Sequence, residues 1–385
     1  MTVFEWPNID EAGLSRQRWQ RVQTMMGELM LDHLVLAGPD TIRYATGART
    51  YIAPESSGWF ALVIDREGQS DLFVPYTDEE VPQPFPGLSV RTLQAAPAWA
   101  PAGLHPQAWA RRISRLLTLG GARRVGLEGL SGNVVTALAE LAPNIGWQPV
   151  ERELYTIRRE KLPAEIRLLE AVNEVNSRAV EAALQAGQQG VRDYDFLAAA
   201  AASQLQAGVE GYSHGVCNVR KLSGDWYPDG TLLRPGDAFM FDIGCYGVGG
   251  YASDLARVGF VGEPSKDVQK AYRCLLNALE LGEQLARPGV RASRLHVEIN
   301  NNLTRYGYPP TPYSMGHGIG LRLAEPPTIY LPDFLDEDAT LRIGDVIALE
   351  PETTVQIGDR RVVLKIEDNY VVEKDGLRRL SNAPR

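Results

Sequence analysis

The sequence predicts an α/β (α+β) chain of two domains, and three features point that way. Residues 1–150 alternate between segments of helical and strand periodicity, the pattern of an α/β layer structure. The second half sets apolar strands with carboxylates inside them among long helices. A length of 385 residues also exceeds what one core usually organises, and a hydrophobic content of 44% is enough to build two.

Taken in order, residues Leu14 to Met30 read as an amphipathic helix, His33 to Ala37 as a short apolar strand, and Trp59 to Ile64 as another. The stretch from Pro82 to Pro106 carries six prolines and reads as surface connection. A further strand is expected at Arg124 to Leu127. The charged run Leu154 to Lys161 leads to Pro163, which suits a first helical turn, with Glu165 at the positive end of the dipole. Leu168, Leu169, Val172, Val175, Ala179 and Ala182 then fall on one helical face, and Gly187 can end the helix. This change of texture puts the boundary between domains 1–155 and 156–385. Beyond it, Ala238–Gly244 and Tyr251–Phe260 flank a glycine-rich reversal and predict a β-hairpin. Helices follow near Asp267–Leu285 and Arg294–Leu303, and a second hairpin is expected around Arg361–Glu373.

Composition excludes several partners. A net charge of -9 with no clustered Lys or Arg argues against a nucleic-acid or anionic-membrane surface, which leaves a small molecule or short peptide as the ligand. Cys217, Cys245 and Cys274 form no CxxC pair and suit a reducing compartment. No basic leader or spanning apolar run is visible, so the expectation is a cytoplasmic protein.

Asp242, Asp254, Glu350 and Glu367 all lie inside apolar strands. An ionised carboxylate buried without a partner is costly, so cations must offset these four. His317 sits in Gly316-His317-Gly318-Ile319-Gly320, where the lack of side chains permits close approach by a metal or ligand. Four carboxylates and one imidazole form an oxygen-rich set suited to two divalent first-row ions, whose charge they nearly neutralise. Two such ions ~3.5–4 Å apart can generate hydroxide near neutral pH and polarise a carbonyl.

These segments resemble the pita-bread metallopeptidase family of creatinase, prolidase and aminopeptidase P. The five motifs occur in family order: Phe241-Asp242-Ile243-Gly244, Tyr251-Ala252-Ser253-Asp254, the glycine-flanked His317, Leu349-Glu350-Pro351 and Lys365-Ile366-Glu367-Asp368. Asp40–Gly47 and the linker Ile157–Ile166 resemble the leading domain of creatinase-type members. The resemblance implies a creatinase-like N-terminal α/β domain before a curved, mostly antiparallel pita-bread sheet with helices behind it. It implies that Asp242 chelates one ion, that Asp254 and Glu367 bridge both, and that His317 and Glu350 complete the other. By the same resemblance Glu350 handles the proton of the attacking water and His214 steadies the substrate carbonyl or departing group. The expected cofactor is two divalent ions, Mn2+ first, with Co2+, Fe2+ or Zn2+ alternatives. The expected activity is Xaa-Pro dipeptidase-like or aminopeptidase P-like cleavage of a C–N bond by a metal-bridging hydroxide. A homodimer is also implied, with Gly47–Tyr51 the segment to inspect at the neighbouring cleft.

Three positions depart from the proline-specific pattern. Tyr313 and Ala324 stand where histidines are usual, four residues before and seven after His317, and Lys365 replaces an arginine. Tyr313 can still donate one hydrogen bond and is carried as a catalytic candidate, Ala324 offers nothing polar, and Lys365 keeps the charge without the bidentate fork. The Asp242–Asp254 interval is also one residue longer than usual, which the turn Tyr246–Gly250 can absorb. Changed specificity follows as an expectation, including a non-peptide amide of the ectoine hydrolase kind. A lyase of the same fold and a non-catalytic pita-bread binding protein are the further readings.

Overall fold

The computed structural model describes residues 4–47, 61–74, 89–95 and 105–385. Most of the predicted Gly47–Tyr51 segment and the start of the strand expected from Trp59 lie outside these residues. The chain divides into two compact units, Ile9–Arg158, and Arg159–Arg385 together with Met1–Asn8. The early residues join the second unit through Trp6, whose indole N–H donates to the Ala207 carbonyl at 2.9 Å.

In the first unit, α1 (Glu11–Glu28), β1 (His33–Leu36) and α2 (Pro39–Thr46) precede β2 (Ala61–Asp65), β3 (Gln69–Val74) and β4 (Ser89–Ala95). They are followed by α3 (Pro106–Leu119), β5 (Arg124–Glu128), α4 (Gly132–Leu141), β6 (Gly146–Pro149) and α5 (Glu151–Arg159). The six strands form one mixed sheet in the order β4-β3-β2-β1-β5-β6. Residues 89–95, expected as surface connection, instead form a strand parallel to β3. Prolines on either side had hidden a run that carries none itself. Trp109 and Ile113 of α3 bury themselves against Val35, Val63, Val125 and Leu127 of the sheet. The Asp40–Gly47 segment proves to be α2, with Asp40 paired to buried Arg158 at 2.6 Å and Thr41 donating to Glu128 at 3.0 Å.

The second unit begins with α6 (Pro163–Ala186) and α7 (Asp193–Gln206). The α6 start is as the sequence predicts: Pro163 opens the first turn and the Glu165 carboxylate accepts the Leu162 N–H at 2.8 Å. Three antiparallel strands follow, β7 (Gly211–Asn218), β8 (Ala238–Tyr246) and β9 (Ala252–Phe260). Asn173 and Asn176 of α6 lock this sheet from behind, accepting from Ser253 and donating to the Ile243 carbonyl. After α8 (Lys266–Leu285) and α9 (Ala292–Arg305) come β10 (Gly316–Gly318), β11 (Glu325–Ile329) and β12 (Val346–Leu349). Last are β13 (Glu352–Ile357), β14 (Arg360–Lys365), β15 (Asp368–Glu373) and β16 (Gly376–Arg379). One face of α8, with Ala271, Leu275, Ala278 and Leu279, packs into a core with Met240, Val258, Leu349 and Ile366. The apolar sides of the strands are thereby buried, and their acidic residues share a common site on the other side.

The hairpin expected around Arg361–Glu373 does not form. β14 pairs with β13, whereas β15 pairs with β12 and β16 in the five-stranded order β11-β10-β12-β15-β16. Ile366 and Glu367 separate the two strands, and the Glu367 N–H donates across to the Ala256 carbonyl of β9 at 3.0 Å. Strand periodicity identifies a strand without naming its neighbour.

Candidate metal centre

Side chains alternate faces along a strand, so register decides which of them meet. β8 and β9 pair without a break from Tyr246 opposite Ala252 to Ala238 opposite Phe260. Asp254 lies opposite Gly244 and Asp242 opposite Ala256, two residues along, so both carboxylates project from one face. The longer interval is absorbed wholly in the Gly247–Tyr251 turn, where Gly249 and Gly250 adopt φ of 87° and 77°. His214 of β7 lies opposite Gly244, completing a row with Asp254. A Cβ on Gly244 would sit 2.6 Å from His214 Cε1, so only glycine lets the imidazole cross to the aspartates. His214 Nε2 is 2.9 Å from Asp242 Oδ1 and 3.3 Å from Asp254 Oδ1.

His317 enters from β10, held between β11 and β12. The flanking glycines serve the strands more than a ligand: a Cβ on Gly316 would lie 2.0 Å from the Ala348 carbonyl oxygen, and one on Gly318 2.3 Å from that of Pro326. His317 Nδ1 lies 3.0 Å from the Gly318 carbonyl oxygen and donates to it, which leaves Nε2 with a free lone pair. That lone pair faces Glu350 Oε1 at 3.7 Å, Asp254 Oδ2 at 3.8 Å and Glu367 Oε1 at 3.9 Å. These separations are too long for hydrogen bonds and within the ~4.3 Å reach of two atoms each ~2.0–2.2 Å from one ion.

All five predicted ligand residues therefore converge, with the four carboxylates between 0% and 8% exposed. Neither Glu367 oxygen nor Asp254 Oδ1 accepts a well-directed hydrogen bond among the described residues. Lys365 Nζ at 3.2 Å and His214 Nε2 at 3.3 Å supply charge attraction there without hydrogen-bond geometry. Buried, unsatisfied acceptors beside an imidazole lone pair are what a cation site requires. Two groups of three bring one ligand atom from each residue within 4.8 Å of the others, His214-Asp242-Asp254 and Asp254-His317-Glu367, with Asp254 common to both and Glu350 in neither.

Lys365 is the built-in cation of the site. Its Nζ lies 2.5 Å from Asp242 Oδ2 and 2.9 Å from Glu350 Oε2. Burial disfavours its charge, but Asp242 and Glu350 outweigh that and hold its pKa well above the usual lysine range. Asp242 is likewise held far down despite its burial, by Lys365 and His214. Burial and then the Asp242 charge raise Asp254, while burial and then the Asp254 charge push Glu367 well up. Burial opposes a charged His214, yet the carboxylates of Asp254 and Asp242 bring it up to about 11. Lys365 and His214 together do not offset all four carboxylates, and the shortfall falls on Glu367 and Asp254.

Tyr313 is brought to the edge of this cluster, but its hydroxyl donates to Glu352 Oε2 at 2.7 Å. Ala324 is exposed just before β11. Sequence reading passed over three supporting residues. Asn369 grips the Asp254 backbone at both ends, its Oδ1 accepting the N–H at 3.0 Å and its Nδ2 donating to the carbonyl at 2.8 Å. Arg257, 1% exposed, donates to the Glu367 carbonyl at 2.6 Å and to Asp368 Oδ1 at 2.6 Å. The third is Glu352. A signal existed for Arg257, a lone guanidinium inside the apolar run of β9.

No helix among the described residues is long and apolar enough to cross a membrane. Residues 167–374 match metallopeptidase family M24, and residues 18–159 match the creatinase/prolidase N-terminal domain. An Xaa-Pro dipeptidase of Pyrococcus horikoshii is 24% identical over 97% of this chain and 99% of its own length. That of Pyrococcus furiosus is 23% identical over 96% and 99%. The prolidase structure from Pyrococcus horikoshii superposes with a TM-score of 0.79 at 22% identity, covering 96% of this chain and 99% of that one. An X-Pro aminopeptidase structure from Thermotoga maritima gives 0.80 at 19%, covering 95% and 98%. These likenesses place the pita-bread fold on the second unit, and the M24 match extends over more than half of the chain: it belongs to metallopeptidase family M24 and is a metal-dependent hydrolase with a creatinase-type leading domain.

Proposed function

We propose that the chain is a dinuclear Xaa-Pro peptidase, acting on a dipeptide or on the first bond of a short peptide. The observation that carries this reading is the gathering of Asp254, His317, Glu350 and Glu367 around unsatisfied carboxylate oxygens, with Asp242 joined to them through Lys365 and His214. The names of its relatives are consistent with it. Asp242 and Asp254 would hold one ion, His317 and Glu350 the other, and Asp254 and Glu367 both, with Mn2+ the first choice. When bound, such ions supply Lewis acidity and a water acidified to near neutrality.

The chain's own residues then have defined tasks. Glu350 has one oxygen on Lys365 and the other facing His317, a placement from which it takes the proton of the attacking water and returns it to the departing amine. His214, whose Nδ1 lies 3.3 Å from Ser213 Oγ and whose Nε2 is held by Asp242 Oδ1 at 2.9 Å, would turn that N–H to the substrate carbonyl once Asp242 is taken up by an ion. Lys365 keeps Asp242 ionised and oriented. A homodimer and a reducing cytoplasmic setting belong to the same reading, and three buried free thiols are consistent with the latter.

The test is incubation of Mn2+-loaded protein with a panel of Xaa-Pro dipeptides and short Xaa-Pro peptides, following release of the first residue. Turnover of at least one member is expected, and none on the whole panel would refute the peptidase reading. A second reading, hydrolysis of a non-peptide amide, is favoured by the committed Tyr313 hydroxyl and the apolar Ala324. Turnover of the cyclic amidine ectoine or of a non-peptide amide in the same assay, with no peptide cleaved, would select it.

A further inference from the structure

Glu367 stands in the gap between β14 and β15, outside both strand ladders. Both of its carboxylate oxygens are buried without a hydrogen bond among the described residues, so their aim is set by the backbone beneath them. That backbone is tied at two points to one stretch of β9. The Glu367 N–H donates to the Ala256 carbonyl at 3.0 Å, and the Glu367 carbonyl accepts from Arg257 Nη1 at 2.6 Å. Arg257 has five N–H donors and places all five. Besides Glu367, Nη1 reaches the Ala256 carbonyl at 2.8 Å, Nη2 reaches Asp368 Oδ1 at 2.6 Å and the Ala383 carbonyl at 3.2 Å, and Nε reaches the Pro384 carbonyl at 2.6 Å. Two of the five acceptors thus come from a segment 126 and 127 residues further along the chain. That segment is itself fastened. The Asn382 N–H donates to Ser177 Oγ at 2.9 Å, and Ala383 lies in the core with Phe241, Ile243 and Leu255. Ser381 Oγ donates to Asp368 Oδ1, and Arg385 Nε donates to Asp368 Oδ2 at 2.7 Å. Arg385 Nη2 continues to Glu283 Oε1 at 2.6 Å and to the Tyr370 hydroxyl at 2.8 Å.

We infer that Arg257 is a positioning residue of the metal centre, which sets the Glu367 carboxylate, and that Asp368 and residues 381–385 are the brace that holds its guanidinium to this task. The inference rests on the reading of Glu367 as a metal ligand and extends the centre to residues that touch no ion. Stability alone does not account for the arrangement, because a buried ion pair is often no better than well-packed apolar side chains of similar volume. A planar fork of five donors offers fixed geometry instead. A carboxylate that is to meet cations tolerates little error in its backbone, and the gap between two strands gives Glu367 no ladder to define it. The guanidinium supplies what the ladder lacks. It joins the Glu367 carbonyl to that of Ala256, which lies opposite Asp242 in the β8–β9 pairing. Glu367 is thereby registered to the strands that carry Asp242 and Asp254. A lysine in place of Arg257 would keep a charge beside Asp368 and lose the fork.

The experiment compares the full-length parent protein with Arg257→Lys, Arg257→Met, Arg379→Gln and the Pro384→Gly, Arg385→Ser double variant. Each is measured for Mn2+ Kd by calorimetry and, before Mn2+ is added, for exchange of the Glu367 amide hydrogen by mass spectrometry on a short fragment. Arg257→Lys and Arg257→Met should each raise Kd by about 10-fold to 100-fold. Both should also speed Glu367 exchange by at least about 10-fold, as a local loss of anchoring. The double variant loosens the segment that carries two of the Arg257 acceptors, and should raise Kd by about 3-fold to 10-fold with faster exchange. Arg379→Gln is the control. Arg379 lies 3.0 Å from Asp368 Oδ1 and donates to Ser381 Oγ and the Ala383 carbonyl, so its loss removes positive charge from Asp368 and leaves the Arg257 fork in place. Its pair is partly exposed, and Kd should change by less than about 3-fold. A parent-like Kd in Arg257→Lys would overturn the inference, because charge beside Asp368 would then suffice. A rise for Arg379→Gln equal to that for Arg257→Lys would overturn it too, since it would mark lost charge and not lost aim. If Arg257→Met does not fold, Arg257→Lys and the double variant still decide the point. A parent protein that binds no Mn2+ would reject the metal reading of Glu367 alone, and the exchange series would still judge whether Arg257 fixes its backbone.

Discussion

Replacing Lys365 by methionine removes the buried cation that separates Asp242, Glu350 and Glu367. Lys365 Nζ contacts Asp242, Glu350 and Glu367 at 2.5, 2.9 and 3.2 Å, and its side chain is almost wholly out of water. Deleting one partner of a buried ion pair typically costs ~3–5 kcal/mol. For a unit of roughly 230 residues, at ~2–4 °C per kcal/mol, that is a drop of ~6–20 °C in Tm. Divalent ions would offset the same carboxylates, so the loss should be largest in EDTA and less than half as large in excess Mn2+. Differential scanning calorimetry of both proteins in the two buffers measures this. An equal loss with and without metal would refute the reasoning, since Lys365 and the ions would then not be offsetting the same charges.

Further outcomes follow from the same geometry. Gly244→Ala must push the His214 ring off the aspartates, and a shift of about 1 Å should cut turnover about 100-fold while circular dichroism stays unchanged. His317→Ala removes the one imidazole lone pair of its cage, and calorimetric Mn2+ affinity should weaken by at least ~100-fold. Burial pushes the thiols of Cys217 and Cys245 up to about 12 and raises that of Cys274, so at pH 8 a thiol reagent should react with all three only after denaturation. Asp368 is held below its ordinary value of 3.8: burial opposes this, but Arg257, Arg379 and Arg385 prevail. Its contribution to stability is fully present above 3.8 and is lost as pH falls through the lower folded value. Asp368→Asn should therefore lower Tm at pH 6 and flatten the fall of Tm below pH 4, as thermal scans across that range would show.

The elements that hold the metal ligands were readable because each pairs a strong local pattern with an unusual residue. The β8–β9 hairpin announced itself through two apolar runs, one carboxylate in each, and a glycine-rich turn able to absorb an extra residue without shifting register. The start of α6 was equally plain from Pro163 and Glu165. What stayed hidden depends on which distant segments meet. Periodicity marked β14 and β15 as strands but could not show that each pairs elsewhere. The glycines around His317 suggested ligand access, whereas the structure shows them making room for the backbone of neighbouring strands. Tyr313 looked like a spare donor until Glu352, 39 residues away, was seen to hold its proton. The grip of Asn369 on Asp254 spans 115 residues and leaves no local trace.

Crystals of the protein soaked in Mn2+, with anomalous difference maps collected at the manganese edge, test the central claim most directly. Two peaks ~3.5–4 Å apart are predicted, both touching Asp254 and Glu367, one completed by Asp242 and the other by His317 and Glu350. A map with no peak among these five residues, or with peaks that bypass Asp254 and Glu367, would contradict it.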